Sequence, residues 1–510
     1  MTSALGARPV IPASERRLPP SLDPAGPVRR LAPAILPATV VIALAVPRLG
    51  RRPVWLDEAF TIGATHDLPA TWRGSGGTMA LYYLLMWPVT HVSLDRAWVR
   101  LPSVVFAAAA VVVVYEIGRR IGGRRMGAVA AGTLSLTWAV SRFAIEARSY
   151  TLALLLVSLS WLGLVGTVQA DGAPGGSADA AGRERWWRLF AVATLLAPLA
   201  HGMAALHFVG QVAALAVAPS PHRKRLLRAC APIAAALVVE GVVLFAVGAG
   251  EVAAWIEPLN RAQAGRILRM LAGRGPALWV VCALAVASAA FAVRRFRERR
   301  DDQSWLQLTP VFWTAGAPLL ILAMSLVRPY AESRYVIGSV PGVALLVGGL
   351  LTRIRRPALV LVAWLLVAAT LLPSQPSVTT VKTEDWPGLT DRVATEAADG
   401  DRLATPDMLR SPFDYAWTEE VGRPELVPLT PTDRIGRILR FYDGAPGGLR
   451  AQLLADPTTT VWYVDRGAKR LGEVAALVSD PEVARDYDVT GWWVFSGPLY
   501  LVRFEPRDGR

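Results

Sequence analysis

Apolar runs recur along the chain at 31–49, 101–118, 126–141, 150–168, 189–203, 204–219, 229–249, 276–293, 308–327, 335–351 and 357–373. Most are about as long as a helix that crosses the hydrocarbon core of a bilayer. Arginine-rich stretches separate them: GRRIGGRR (118–125), GRERWWR (182–188), PHRKRLLR (221–228), RRFRERR (294–300) and TRIRR (352–356). Cations gather on cytoplasmic loops. With the N-terminus inside, eleven crossings put all these clusters on that side and the C-terminal part outside. A further apolar run, TMALYYLLMWPVTHV (78–92), would reverse this parity if it crossed. It is short and interrupted by Pro88, so the pattern predicts an interfacial or re-entrant helix on the outer face.

Beyond Ser374 the apolar runs end. The β-like stretches TTVWYVD (459–465) and GPLYLVRFEP (497–506) alternate with the charged helical pattern GEVAALVSDPEVARDY (472–487). The expected fold is an α-helical polytopic membrane protein, with a transmembrane domain over 31–373 and a first outer loop over 50–100. A soluble α/β or α+β extracytoplasmic domain follows over 374–510. Residues 1–30, rich in Pro and Arg, read as a disordered cytoplasmic tail and not as a cleavable signal peptide. Residues 171–182 read as a flexible low-complexity loop.

Composition agrees with the pattern. Of 510 residues, 53% are hydrophobic and 18% charged, against about 25% charged in soluble domains. The net charge of +14 does not form a basic patch interleaved with aromatics, which excludes nucleic acid as a partner. Cys230 and Cys282 both lie in apolar runs and supply neither a disulfide framework nor metal-ligand spacing. There is no Walker loop, no GxGxxG after a strand and no GxSxG elbow.

The predicted topology brings several polar stretches to the outer face. RRPVWLDEAFTIG (51–63) carries Asp57 and Glu58, which at the least cap a short helix, a contribution of a few tenths to about 1 kcal/mol. In RFAIEARSY (142–150), helical spacing puts Arg142, Glu146 and Tyr150 on one face. Arg148 has no acid at helical spacing, which makes it a candidate for an anionic ligand such as phosphate. Arg96, Arg100 and RPYAESRY (328–335), with Arg334 and Tyr335, add outer-face cations and aromatics. His201 falls at a helix turn, with His207 six residues on, and Glu240 lies within an apolar run.

WLDEA, LYYLLMW, RLPS (100–103), EARSY (146–150) and ESRYVIGSVPG follow one another in order between about residues 30 and 373. This series resembles the GT-C superfamily of integral-membrane glycosyltransferases, a fold of 11–13 transmembrane helices. The nearer likeness is to the branch of the protein O-mannosyltransferases and the lipid A aminoarabinose transferase. KTEDWPGLTDRV…GDRLATP (382–406) resembles the outer domain of bacterial members. The chain departs from the pattern at Gly77, Thr78, Met79 and Ala80, where the family usually carries a His and one or two prolines.

The resemblance implies a sugar donor on a polyprenyl phosphate, a cell-envelope acceptor (glycan, lipid or protein), and transfer at the outer face of a bacterial plasma (inner) membrane. The family's catalytic acid maps onto Asp57, with Glu58 adjacent. Inverting transfer needs a base for the acceptor hydroxyl and cations for the departing phosphate, and a carboxylate beside an apolar surface would be the more basic. The expected assignment is Asp57 as base and Glu58 as its orienting partner. Arg148 and Arg334, with Arg100, would hold the phosphate, while Tyr150, Tyr335, Glu146 and His201 complete the substrate-binding set. No cofactor is certain. Asp57, Glu58, Glu146 and His201 could converge on a divalent metal, although no local spacing demands one. Two other classes remain open: a transporter of lipid-linked glycan, which would favour inverted repeats and charges in the membrane core, and a non-catalytic envelope-assembly protein.

Overall fold

A computed structural model describes residues 27–75, 77–171, 178–219, 223–244, 246, 256–375, 384–419, 422–428, 450, 453–454, 457–467 and 471–507. The tail expected over 1–30 lies outside these residues up to Gly26, and a helix, Pro27–Ala45, starts within its last positions. Residues 172–177 of the expected loop also lie outside. Residues 178–182 belong instead to the helix Ala178–Ala200.

The chain is a helical multi-pass membrane protein. Among the described residues, eight helices are long and apolar enough to cross a bilayer. Two of the expected eleven are missing from that number for identifiable reasons. Ala178–Ala200 starts on the charged stretch Arg183–Arg188, and the apolar segment Gly202–Ala216 is too short. The third is a matter of counting: one helical stretch, Arg96–Ser135, covers two of the runs.

Forty residues of straight helix would measure about 60 Å, twice the hydrocarbon thickness. The stretch breaks at Gly122 and Gly123, the latter at φ 85°, a backbone conformation natural to glycine. Its halves fold back on each other so closely that a Cβ on Gly118 would lie 2.9 Å from the Gly127 Cα. Gly127→Val should therefore pry this hairpin open, at a cost of about 1–3 kcal/mol. A lowered midpoint of thermal unfolding in detergent is the expected reading, and an unchanged midpoint would contradict the close packing.

Tyr150–Asp171 is the central helix, with 89% of its most apolar window buried, against 17% for the peripheral Arg223–Leu244. Gly163 and Gly166 leave room for Phe190 and Trp186 of Ala178–Ala200 to press against it, a common use of small residues between membrane helices.

The first loop forms a helix over Leu56–His66 and another over Ala80–Val92. The second spans about 20 Å, too short to cross, and exposes Leu84, Trp87 and Val92. It is tied to the first by the Thr65–Thr90 hydroxyl contact at 2.7 Å. Between the helices Arg223–Leu244 and Pro276–Arg299 lies the shorter helix Arg261–Ala272, capped by Asn260.

The C-terminal part is a mixed five-stranded sheet in the order β2-β1-β3-β5-β4. The strands are β1 (Arg402–Ala404), β2 (Val427–Pro428), β3 (Val461–Arg466), β4 (Tyr487–Phe495) and β5 (Leu499–Pro506). β1 pairs in parallel with β2 and β3, whereas β5 is antiparallel to β3 and β4. Alternate residues of β3 face opposite sides. Trp462 and Val464 pack with Trp386, Phe413 and Trp417, and Val461 and Tyr463 pack with Val483.

This domain grips the first loop. Leu56 is part of its core. The Leu56 N–H donates to Glu384 at 3.0 Å, and the Tyr415 hydroxyl donates to the Leu94 carbonyl at 2.7 Å. The helix that bears Asp57 is thus held from both the membrane bundle and the sheet domain.

Candidate active site

Successive residues on a helix point about 100° apart, so two adjacent carboxylates in a first turn must serve different neighbours. Glu58 turns inward and Asp57 does not.

Glu58 accepts from Arg100 twice, Nε to Oε1 at 2.7 Å and Nη2 to Oε2 at 2.6 Å, with both side chains fully buried. It also accepts from the Ala147 N–H at 2.9 Å. Burial alone would raise its pKa, but the Arg100 charge, the Arg100 hydrogen bonds and the Ala147 N–H hold it below the ordinary glutamate value. The remaining donors of Arg100 reach the Leu49 carbonyl at 2.5 Å, that of Arg52 at 2.9 Å and that of Pro53 at 2.9 Å. All five N–H groups of this guanidinium are thereby committed within the fold. Arg100 was expected among the phosphate-holding cations; the structure instead has it pinning the loop before the Leu56–His66 helix to Glu58.

Asp57 is 18% exposed and lies between two cations. Its Oδ2 is 2.9 Å from Arg334 Nη1 and 3.7 Å from Arg148 Nη2. Arg148 Nη1 also donates to the Asp57 carbonyl at 3.0 Å and reaches Thr61 Oγ1 at 3.4 Å. The apolar surroundings expected for this carboxylate are replaced by guanidinium groups.

Arg148 reaches Asp57 because the chain is not helical where sequence spacing made it so. The helix Trp138–Phe143 ends, residues 144–149 turn irregularly, and a new helix starts at Tyr150. Arg142, Glu146 and Tyr150 therefore do not share one helix face. Only the Arg142–Glu146 pair survives as expected, joined by Arg52 at 3.7 Å from Glu146. Burial pushes the Glu146 carboxyl up in spite of Arg142. Glu146 lies in this inner charge cluster and Glu58 on Arg100, so neither is turned to share a metal ion with Asp57 and His201. Among the described residues, no group of three or more His, Cys, Asp or Glu is arranged to hold one.

Arg334 is the second residue of the 3-10 turn Ser333–Ser339, which Glu332 caps by accepting from the Arg334 N–H at 3.4 Å. The Arg334 and Arg148 guanidinium carbons stand 6.0 and 5.9 Å from the Tyr150 ring centre. His201 lies between two rings, 5.4 Å from Tyr150 and 5.1 Å from Tyr335. His201, Arg334, Tyr335 and His207 line a small cavity, backed by Ala153 and Val157. Asp57, Arg148, Tyr150, His201, Arg334 and Tyr335 are thus drawn together from four separate stretches of chain.

Sequence reading missed Tyr83. This buried phenol of Ala80–Val92 lies against Arg148 and within range of the Asp57 charge. Its only sequence signal was membership of LYYLLMW, which does not distinguish it from the neighbouring Tyr82, directed to Ser103 at 3.4 Å. Arg52 and Thr61 were missed as well, each being recognisable only by a partner distant in sequence.

The fold is similar to that of several solved structures. The structure is similar to ArnT from Cupriavidus metallidurans in the apo state, with a TM-score of 0.59 and 12% identity, covering 93% of this chain and 98% of that one. ArnT bound to undecaprenyl phosphate matches with a TM-score of 0.54 and 13% identity, over 92% and 97% of the two chains. The Archaeoglobus fulgidus oligosaccharyltransferase AglB, in complex with an inhibitory peptide and a dolichol-phosphate, matches with a TM-score of 0.51 and 10% identity, over 94% and 74%. No family model and no curated protein matches the sequence.

Proposed function

We propose that this protein transfers a sugar from a polyprenyl-phosphate carrier to a hydroxyl group of a cell-envelope acceptor at the outer face of the plasma membrane. One observation carries the reading: the Asp57 carboxylate meets the Arg334 and Arg148 guanidinium groups beside a cavity walled by His201 and Tyr335. Undecaprenyl phosphate in ArnT and dolichol-phosphate in AglB support the carrier class. The ordered motifs, together with the likeness to ArnT, favour the aminoarabinose-transferase and O-mannosyltransferase branch.

The acceptor oxygen attacks the anomeric carbon, the bond from that carbon to the phosphate oxygen breaks, and the hydroxyl proton passes to Asp57. Negative charge grows on the departing phosphate, where Arg148 and Arg334 offset it. A phosphate also competes with Asp57 for Arg334, so donor binding frees the carboxylate for the acceptor. Tyr150, His201 and Tyr335 form the wall beside the sugar. Glu58 and Arg100 touch neither substrate; they position the helix that carries the base.

Purified protein in detergent, given polyprenyl-phosphate sugars and envelope acceptors, is expected to release free polyprenyl phosphate. Translocation of the lipid-linked sugar without its cleavage would instead mark a transporter. Arg148→Ala removes a charge-assisted contact of about 1.5–3 kcal/mol, so donor binding should weaken by roughly 10- to 100-fold. Unchanged donor affinity would take Arg148 out of the phosphate site.

A further inference from the structure

The bundle has a second cavity, far from Asp57, that the proposed reaction does not use. Its lining includes Arg353, Thr352, Gln307 and Ser288 on the polar side and Leu345 and Met126 on the apolar side. The 3-10 turn Ser333–Ser339 and the helix Val340–Leu351 separate Arg334 from Arg353. Their rise amounts to about 30 Å, the thickness of the hydrocarbon core. Gly122, also in the lining, is a similar distance from Arg100 along the first half of Arg96–Ser135. The cavity therefore opens at the opposite end of the membrane bundle.

Among the described residues, Arg353 on its lining has no carboxylate in an ion pair with it. The Arg353 guanidinium stacks 3.1 Å from the Phe291 ring centre and, among the described residues, hydrogen-bonds only the neutral Gln307 Oε1, at 3.4 Å. Nε of Arg353 and Nε of the nearby Arg295 are both buried without an acceptor, and among the described residues neither arginine has an ion pair. Burial and the Arg295 charge both depress the Arg353 pKa. Arg119 and Arg120, on the adjoining hairpin, differ in that both pair with Glu116, at 2.6 and 2.8 Å. A buried guanidinium donor without an acceptor is costly unless a ligand supplies one. An anionic head beside an apolar wall describes the polar end of a lipid.

We propose that this cavity binds the phosphate headgroup of an anionic membrane lipid from the leaflet opposite Asp57. The site is independent of the transfer reaction proposed above. The full-length protein, purified in detergent, can be titrated by native mass spectrometry with phosphatidylglycerol, with phosphatidylcholine and with inorganic phosphate. One phosphatidylglycerol should bind at least tenfold more tightly than phosphatidylcholine. Arg353→Gln should weaken it at least tenfold, whereas Arg148→Ala, at the other end of the bundle, should not. Gly349→Leu keeps every charge and fills the space: a Cβ at Gly349 meets only Met126 and Ser288, each at an ordinary 3.5 Å. It should cause a similar loss even if Arg353→Gln fails to fold. Equal phosphatidylglycerol binding by wild type and Gly349→Leu would overturn the proposal. So would full displacement by millimolar inorganic phosphate, which would mark a pocket for free anions.

Discussion

Asp57→Asn is expected to lower the turnover of sugar transfer by about 10²- to 10⁴-fold, the range that a positioned general base contributes. The substitution is nearly isosteric, and the amide oxygen can still accept from Arg334, which lies 2.9 Å from the present carboxylate. What is lost is the capacity to take the acceptor proton. Expression and thermal stability in detergent should stay near wild type, because Asp57 is partly exposed and the fold is pinned through Glu58. A single-turnover assay that supplies donor and acceptor at saturation isolates the chemical step. Near-normal turnover would remove Asp57 as the base.

The second large effect is on stability. Glu58→Ala leaves the fully buried Arg100 charge without its carboxylate, and breaking such a pair from one side costs about 3–5 kcal/mol. The variant is expected to accumulate poorly or to unfold at a markedly lower temperature. Replacing both partners by apolar residues, as in Glu58→Leu with Arg100→Met, should recover part of the loss. It would still leave the Leu49, Arg52 and Pro53 carbonyls without their donor. The linkage to pH has a definite sign. Because the folded-state pKa of Glu58 is depressed, its contribution is complete above the ordinary glutamate pKa and is lost as pH falls through the lower folded value. Glu58→Gln should flatten that acid limb, and an unaltered acid limb would mean that the pair contributes no pH-linked stability.

The membrane architecture was legible in the sequence because apolar runs and arginine loops alternate at bilayer length. Even the hairpin within Arg96–Ser135 was announced by GRRIGGRR, whose glycines permit the turn. The short strands β1 and β2 were not, since three and two residues carry no readable period. In the site, Arg148, with no acid at helical spacing, read as a candidate for an anionic ligand; the structure gives it Asp57 as a partner, 91 positions away. The division of labour between Asp57 and Glu58 could not be read, because it depends on which guanidinium each direction meets. Arg100 was misassigned for a related reason. The carbonyls of residues 49, 52 and 53 that consume its donors leave no mark in side-chain chemistry.

Competition between Asp57 and a lipid phosphate for Arg334 is the centre of this account, and polyprenyl-phosphate binding measures it directly. Titrated into the purified protein, the lipid should bind at least tenfold more weakly to Arg334→Ala, and as tightly as to wild type, or more tightly, to Asp57→Asn. Unchanged binding to Arg334→Ala, or binding abolished by Asp57→Asn, would contradict it.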